Sequence, residues 1–376
     1  MADGKVVIET DLDASGIKAG LSKLTGIAQS GIKGTLTAIA SAGTALAGLG
    51  GAAIKIGADF EEGMSEVQAI SRASASDMEL LKEKAKEMGA ETKFSATESA
   101  AAFKYMAQAG WNTEDMLNGI SGVMSLAAAS GEDLALTADI VTDSLTAFGL
   151  EAKDAAHFSD VLAMTANATN TDVANLGYTF KYVAPVAGAL GYSIEDMSVA
   201  IGLMANSGIK AETAGTALRA TLTNLAKPTQ QMTGYMEELG ISLTDAQGNV
   251  KPFNDVMIDL REGFEGLTEA QKAEYAAGIA GKEAMSGLLA IVNASDEDFA
   301  ALTEQINNCN GAAEEAAKIM QDNLKGSVEQ LGGALETLGI EFYDSVNTPI
   351  RTIVDSATSM VEQLTKAFKD GGQSGL

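Results

Sequence analysis

The side chains with intrinsic reactivity are few. There is one histidine, His157 in Ala155-Ala-His-Phe-Ser-Asp160, and one cysteine, Cys309 in Asn307-Asn-Cys-Asn310. One imidazole rules out any site built on two, and one thiol rules out an internal disulfide and the zinc modules that need several thiolates. A Ser-His-Asp relay using His157 would need a Gly-x-Ser-x-Gly turn, which the chain lacks. The expectation is a structural or exposed His157 and an incidental Cys309 thiol, not a nucleophile. Gly48-Leu-Gly50-Gly51 has the outline of a dinucleotide loop, but an Ala/Gly-rich, helix-like run precedes it where a strand is required. Gly281-Lys282 lacks the upstream glycine and the hydroxyl of a phosphate loop. Asp and Glu number 51, yet a glycosidase-type acid pair is defined by a separation of about 5–9.5 Å rather than by abundance. Asp11 and Asp13 could hold a cation, but a calcium loop needs more ligands at fixed spacing. The lone Trp111, after Ala109-Gly110, reads as a packing anchor at a helix junction. No enzyme is expected, and neither a metal nor a cofactor.

Charge narrows the partners. With 25 Lys+Arg against 51 Asp+Glu, the net charge is -26 over 376 residues. That balance disfavours specific nucleic-acid binding and steady attachment to an anionic membrane surface, since both need clustered cations. The remaining expectation is an acidic protein that works through interactions with other proteins.

The elements that must position such contacts are helices. Ala, Leu, Met, Glu and Lys dominate, aromatic residues are 5%, and 40 glycines imply many helix ends or close backbone packing. The expected fold class is all-α: a multi-helix assembly with a duplicated helical unit, a short N-terminal strand and one small β-hairpin, ending in long heptad-patterned helices. Lys5–Thr10 reads as the strand, and Ile241–Phe253 as the hairpin, with Pro252 at an edge position. Ser76-Asp-Met-Glu79, Ser95-Ala-Thr-Glu98 and Thr268-Glu-Ala-Gln271 fit capping boxes, and Ser295-Asp-Glu-Asp298 is a shorter-armed version. Gly131 and Gly149 fall where helices should stop.

Four further features organise the chain into segments 1–56, 57–240, 241–310, 311–370 and a flexible tail at 371–376. Gly34–Ile54 carries no charge, and its strongly apolar residues are Leu36, Ile39, Leu46, Leu49 and Ile54. It predicts either a close-packed small-residue helix or a segment that inserts into a membrane. Phe103-Lys-Tyr105 returns as Phe180-Lys-Tyr182, Glu114-Asp-Met116 as Glu195-Asp-Met197, and Ser130-Gly131 as Ser207-Gly208. The ordered series predicts two copies of one helical unit, at about 92–148 and 169–225. Leu324, Val328, Leu331, Leu335, Leu338 and Phe342 form a heptad seam. Ile350, Val354, Ala357, Val361, Leu364 and Phe368 form another, after a break expected at Pro349. Both seams are candidates for self-association.

Several stretches carry a family resemblance. Gly57-Ala-Asp-Phe-Glu-Glu-Gly-Met-Ser-Glu-Val-Gln-Ala-Ile70 resembles the entry motif of the N-terminal core region of phage tail tape measure proteins. Gly4–Asp13, Phe94–Glu98, Phe103–Trp111, Thr169–Asp172, Gly208–Arg219 and Gly281–Leu289 are similar to further segments of that region. The likeness covers about residues 4 to 345, and its motifs serve packing and capping rather than catalysis. It implies a structural tail-assembly protein that scaffolds tube polymerisation, sets tail length and leaves the tube during genome delivery. The partners it implies are the tail tube protein, tail assembly chaperones, tip or baseplate proteins and further copies of the chain, with host inner membrane contact at delivery. The implied location is the virion tail, and the host cytoplasm before assembly. The chain departs from the family in length: even one unbroken helix of 376 residues would reach only about 560 Å at ~1.5 Å per residue. It looks like a truncated head region or a prophage fragment. The alternative is a membrane-active delivery or pore-forming protein acting through residues 34–54.

Overall fold

The computed structural model describes residues 42–371, and side chains from residue 52 onward except at several positions in the last helix. The predicted strand at Lys5–Thr10 lies outside the described residues. The chain forms two compact units, up to Lys55 and from Ile56, and the packing described below is that of the second.

Among the described residues sixteen α-helices follow one another. The first six are α1 (Ala42–Ser71), α2 (Ala75–Glu91), α3 (Ala96–Gln108), α4 (Thr113–Ser130), α5 (Leu134–Phe148) and α6 (Ala155–Ala168). Next come α7 (Val173–Leu190), α8 (Ile194–Asn206), α9 (Ala211–Ala226), α10 (Gln230–Glu238) and α11 (Phe253–Phe264). The last five are α12 (Glu269–Ala280), α13 (Met285–Val292), α14 (Asp296–Asn307), α15 (Ala312–Gln321) and α16 (Leu324–Gly371).

Local chemistry explains most boundaries. Ser95 accepts from the Glu98 N–H while Glu98 reaches back to the Ser95 N–H, and Thr268 does the same with Gln271. These reciprocal bonds satisfy donors that a helix start leaves open. At α2 the expected start is two residues late. Ser74, not Ser76, is the cap, because the Asp77 carboxylate bonds back to the Ser74 N–H. Gly131 and Gly149 end α4 and α5 in the left-handed conformation, with φ of 75° and 72°.

Two expectations are corrected. Residues 241–253 do not build a two-stranded hairpin. They form a turn around Asp245–Asn249 closed by a single antiparallel bridge, Thr244 to Val250, and Pro252 caps α11 instead of lying on a strand edge. Asp245 accounts for this, since its carboxylate accepts from the Gln247 and Asn249 N–H groups and folds the loop on itself. Nor does Pro349 divide the C-terminal region into two helices, because α16 runs unbroken from Leu324 to Gly371.

One continuous apolar core joins the elements, with Phe103, Phe158, Phe180, Phe253 and Phe264 fully buried at its centre. Within it α3 packs on α5, α5 on α7 and α7 on α9, while α4 packs on α6 and α15. Much of the glycine content serves this packing. A Cβ on Gly122 of α4 would sit 2.6 Å from the Ala156 Cα of α6, so only glycine permits that approach.

Candidate interaction face of the C-terminal helix

Helix α16 presents two opposite faces of different character. Its inner face packs on α2 and α3 and follows a heptad series: Gly326, Glu329, Gly333, Glu336, Ile340, Tyr343 and Asn347. These positions lie two residues out of phase with the apolar seam, about 200° around the helix at ~100° per residue. Gly333 lets the helix touch α2, because a Cβ there would collide with the Gly89 carbonyl oxygen. Ile340 and Tyr343 are buried below it.

Polar contacts clamp this inner face. Lys86 of α2, itself only 9% exposed, places Nζ 2.8 Å from Glu341, 3.0 Å from Asp344 and 3.1 Å from Glu83. Burial pulls the Lys86 ammonium pKa down, but hydrogen bonds to the three carboxylates outweigh it and hold the group well above the usual lysine range. Glu61 of α1 accepts from the Tyr343 hydroxyl at 2.6 Å, from Asn347 at 3.4 Å and from Arg351. Burial raises the Glu61 carboxyl, yet the Tyr343 hydrogen bond and the Arg351 charge bring it below its ordinary value. Glu336 accepts the Thr97 N–H at 3.0 Å near the start of α3. Sequence reasoning passed over Lys86, Glu61 and Tyr343. The detectable signal was the second heptad series, but its members are mostly polar or glycine and an apolar scan does not register them.

The outer face carries the apolar seam. Leu324 is 81% exposed, Leu338 64%, Val328 58%, Leu335 52% and Leu331 51%, while Phe342 is half-buried. Just before it, Ile319 and Met320 of α15 are also exposed. Val361 is exposed further along, and the side chains of Val354 and Leu364 fall outside the described residues. All nine predicted seam residues thus fall on α16, and the side chains of seven of them are described.

The other candidates resolve differently. Leu36 and Ile39 lie outside the described residues. Leu46 and Leu49 fall on α1 with side chains outside the description, and Ile54 on α1 is half-buried. Among the described residues no helix is long and apolar enough to cross a membrane. His157 of α6 bonds Glu195 of α8 through Nε2 at 2.5 Å and Asn310 through Nδ1 at 3.1 Å. Next to it, Asp160 accepts the Gly311 and Ala313 N–H groups at 2.8 and 2.9 Å, capping α15. Cys309 is buried, and burial with the nearby Asp160 charge pushes its thiol up to about 11, which suits packing rather than attack. Among the described residues no group of acidic, His or Cys side chains is arranged to hold a metal ion. Trp111 is buried over Gly119, as a packing anchor should be.

Comparison with known proteins identifies the family of this helical bundle. The family model described as "Phage-related minor tail protein" matches residues 82–281, from within α2 to the end of α12. The chain belongs to that family. Proteins similar to it include the "Tape measure protein" of Pneumococcus phage Dp-1, 39% identical over 341 residues. That alignment covers 91% of this chain and 29% of the relative. The "Probable tape measure protein" of Escherichia phage P2 is 30% identical over 342 residues, covering 89% of this chain and 42% of the relative. A third, from Clostridium phage phiCD119, is 24% identical over 332 residues, covering 85% and 34%. The chain therefore spans well under half the length of these curated relatives. No solved structure matches it. The recognised family is thus a phage tail family, and the role attached to these relatives is structural.

Proposed function

We propose that this minor tail protein acts in the phage tail as the helical head of a tape measure, a scaffold on which the tail tube polymerises to a set length and from which it is cleared when the genome is delivered. The observation that carries this reading is the 39% identity to a tape measure protein across 91% of the chain. The fold supports it. The packed helices give a rigid body, and α16, 48 residues long, extends about 70 Å at ~1.5 Å per residue. Tail tube protein, tail assembly chaperones and tip or baseplate proteins are the partners this role calls for. The chain works before assembly in the host cytoplasm and afterwards in the virion tail.

The body itself reads as a duplication. Phe103 and Phe180 are both fully buried, as are Met116 and Met197 on the next helices. Trp111 and Tyr192 each follow a left-handed glycine and donate their N–H five residues back, to Met106 at 3.1 Å and Ala187 at 3.0 Å. Gly119 leaves room for the Trp111 ring, and the second copy pairs Ala200 with the smaller tyrosine at the corresponding positions.

The test is genetic. A stop codon early in the reading frame, in the phage that encodes it, is expected to abolish tails or leave tubes of irregular length in electron micrographs, with rescue from a plasmid copy. Normal tails from the mutant would overturn the reading.

A further inference from the structure

We propose that the groove between α5 and α7 is a docking site for a segment of a partner protein that presents an arginine flanked by aliphatic side chains. The groove has a volume of about 420 Å³, room for a few side chains, and its walls are of two kinds. Leu136 (40% exposed), Ile140 and Tyr178 (53% exposed) supply apolar surface, while Asp139 and Asp143, one helical turn apart, supply charge. Among the described residues no hydrogen bond or ion pair occupies either carboxylate. The contact between α1 and α3 shows what a closed version looks like. There Gly63 lies against Ala100, and Glu66 reaches Lys104 at 2.7 Å. Between α5 and α7 the glycine is on the other helix. Ile140 packs over Gly177, Lys181 closes no ion pair with the two acids, and the cleft beside them stays open.

Charge complementarity selects the occupant. Burial and the Asp143 charge both raise the Asp139 carboxyl above the usual carboxylate range, and Lys181 offsets them only in part. A carboxylate that has already lost part of its water, beside a like charge, gains more from a cation than a fully solvated one does. Like charges at i and i+4 repel along a helix, and one cation set between them turns that repulsion into two attractions. Arginine fits better than lysine, because its planar fork meets both carboxylates while its face stacks on the exposed Tyr178 ring. Aliphatic neighbours of that arginine cover Leu136 and Ile140, and apolar surface is worth about 25 cal/mol per Å² once removed from water. An anionic occupant is repelled by the acid pair, and a bare divalent cation leaves the apolar wall wet. The inference does not depend on the tail role, because it concerns the purified chain and a defined peptide, so either reading can fail without the other.

Fluorescence anisotropy of the full chain with a labelled helical peptide decides it. The probe carries one arginine with a leucine one turn to each side, and alanine and glutamine elsewhere. Its Kd is expected to be on the order of 100 μM, and replacing the arginine by glutamine, or both leucines by serine, is expected to weaken binding about tenfold. On the protein, Asp139→Asn/Asp143→Asn and Tyr178→Ala are each expected to weaken it about fivefold or more. Glu262→Gln/Glu265→Gln makes the same charge change on exposed acids at the end of α11 and is expected to leave the Kd within about twofold. No binding of the arginine peptide at about 1 mM overturns the proposal, as does unchanged affinity in Asp139→Asn/Asp143→Asn. Equal weakening by the α11 pair also overturns it, since that marks general attraction to an acidic chain. So does displacement of the peptide by magnesium ion at constant ionic strength, which would make the carboxylates a metal site. Near-ultraviolet circular dichroism verifies folding of each variant. The peptide substitutions leave the protein untouched, so equal binding of the arginine and glutamine peptides refutes the proposal whatever the variants do.

Discussion

At His157 one side chain joins α6, α8 and the approach to α15, so its protonation state bears on how three elements hold together. Burial lowers its affinity for a proton, but the Glu195 hydrogen bond and charge, with Asn310 and Asp160, more than compensate and raise its pKa above the ordinary value near 6.5. A raised folded-state pKa means the contact stabilises fully below the unfolded value and is lost as pH rises through the folded one. Thermal melts should therefore show wild type exceeding His157→Gln by about 1–2 °C at pH 6, with the gap closing at pH 9. A constant gap would mean that packing, not charge, is what the imidazole supplies. Lys86 illustrates the opposite asymmetry. Its carboxylate partners Glu83, Glu341 and Asp344 are half-exposed or more, so Lys86→Met lets them rehydrate. The expected loss in urea denaturation is below about 1.5 kcal/mol, since an apolar replacement of similar volume avoids burying the ammonium.

Among the helices, glycine has two opposite effects that substitution can separate. Gly122→Ala pushes a methyl against the Ala156 backbone, which has nowhere to move, and overpacking of this kind costs about 1–3 kcal/mol. Gly234 in α10 has nothing within 4 Å of where a Cβ would go, so Gly234→Ala should stabilise by about 0.5–1 kcal/mol through reduced backbone freedom. Chemical denaturation of the pair checks both signs, and a shared sign would refute the contact argument. The same distinction marks what was legible in the sequence. Caps at Ser95, Thr268 and Ser295, and the stops at Gly131 and Gly149, depend on bonds within a few residues, and they were readable. The choice of Ser74 over Ser76 was not, because both serines can cap and only the reach of Asp77 decides. The apolar spacing at 324–342 marked a helical face and its exposure, but not how the opposite face is held. That depends on a polar inner stripe whose partners, Glu61 and Lys86, lie hundreds of residues earlier. Pro349 misled for a related reason: a local rule predicted a break, and α16 continues through it.

For the whole molecule, the two faces of α16 imply that deleting the helix and disabling its seam have different consequences. A heptad helix at the end of a chain suggests an appendage whose removal leaves the earlier helices intact. The packing argues against that. Deleting residues 323–376 removes Ile340 and Tyr343 from the core side of α1 and α2, and takes two of the three acceptors from Lys86, which is nearly buried. With α16 gone Lys86 meets water and keeps Glu83, so the loss is that of two large buried side chains, about 3–5 kcal/mol, or about 5–10 °C in melting temperature for a chain of this size. Leu331→Glu/Leu338→Glu changes only exposed positions and should leave the melting temperature of the dilute chain within about 1 °C. Differential scanning calorimetry at low micromolar concentration separates the effects. A truncated chain as stable as the full one would show that the inner clamp contributes little, making α16 an appendage after all. A strongly destabilised seam variant would show that the outer leucines serve the body after all.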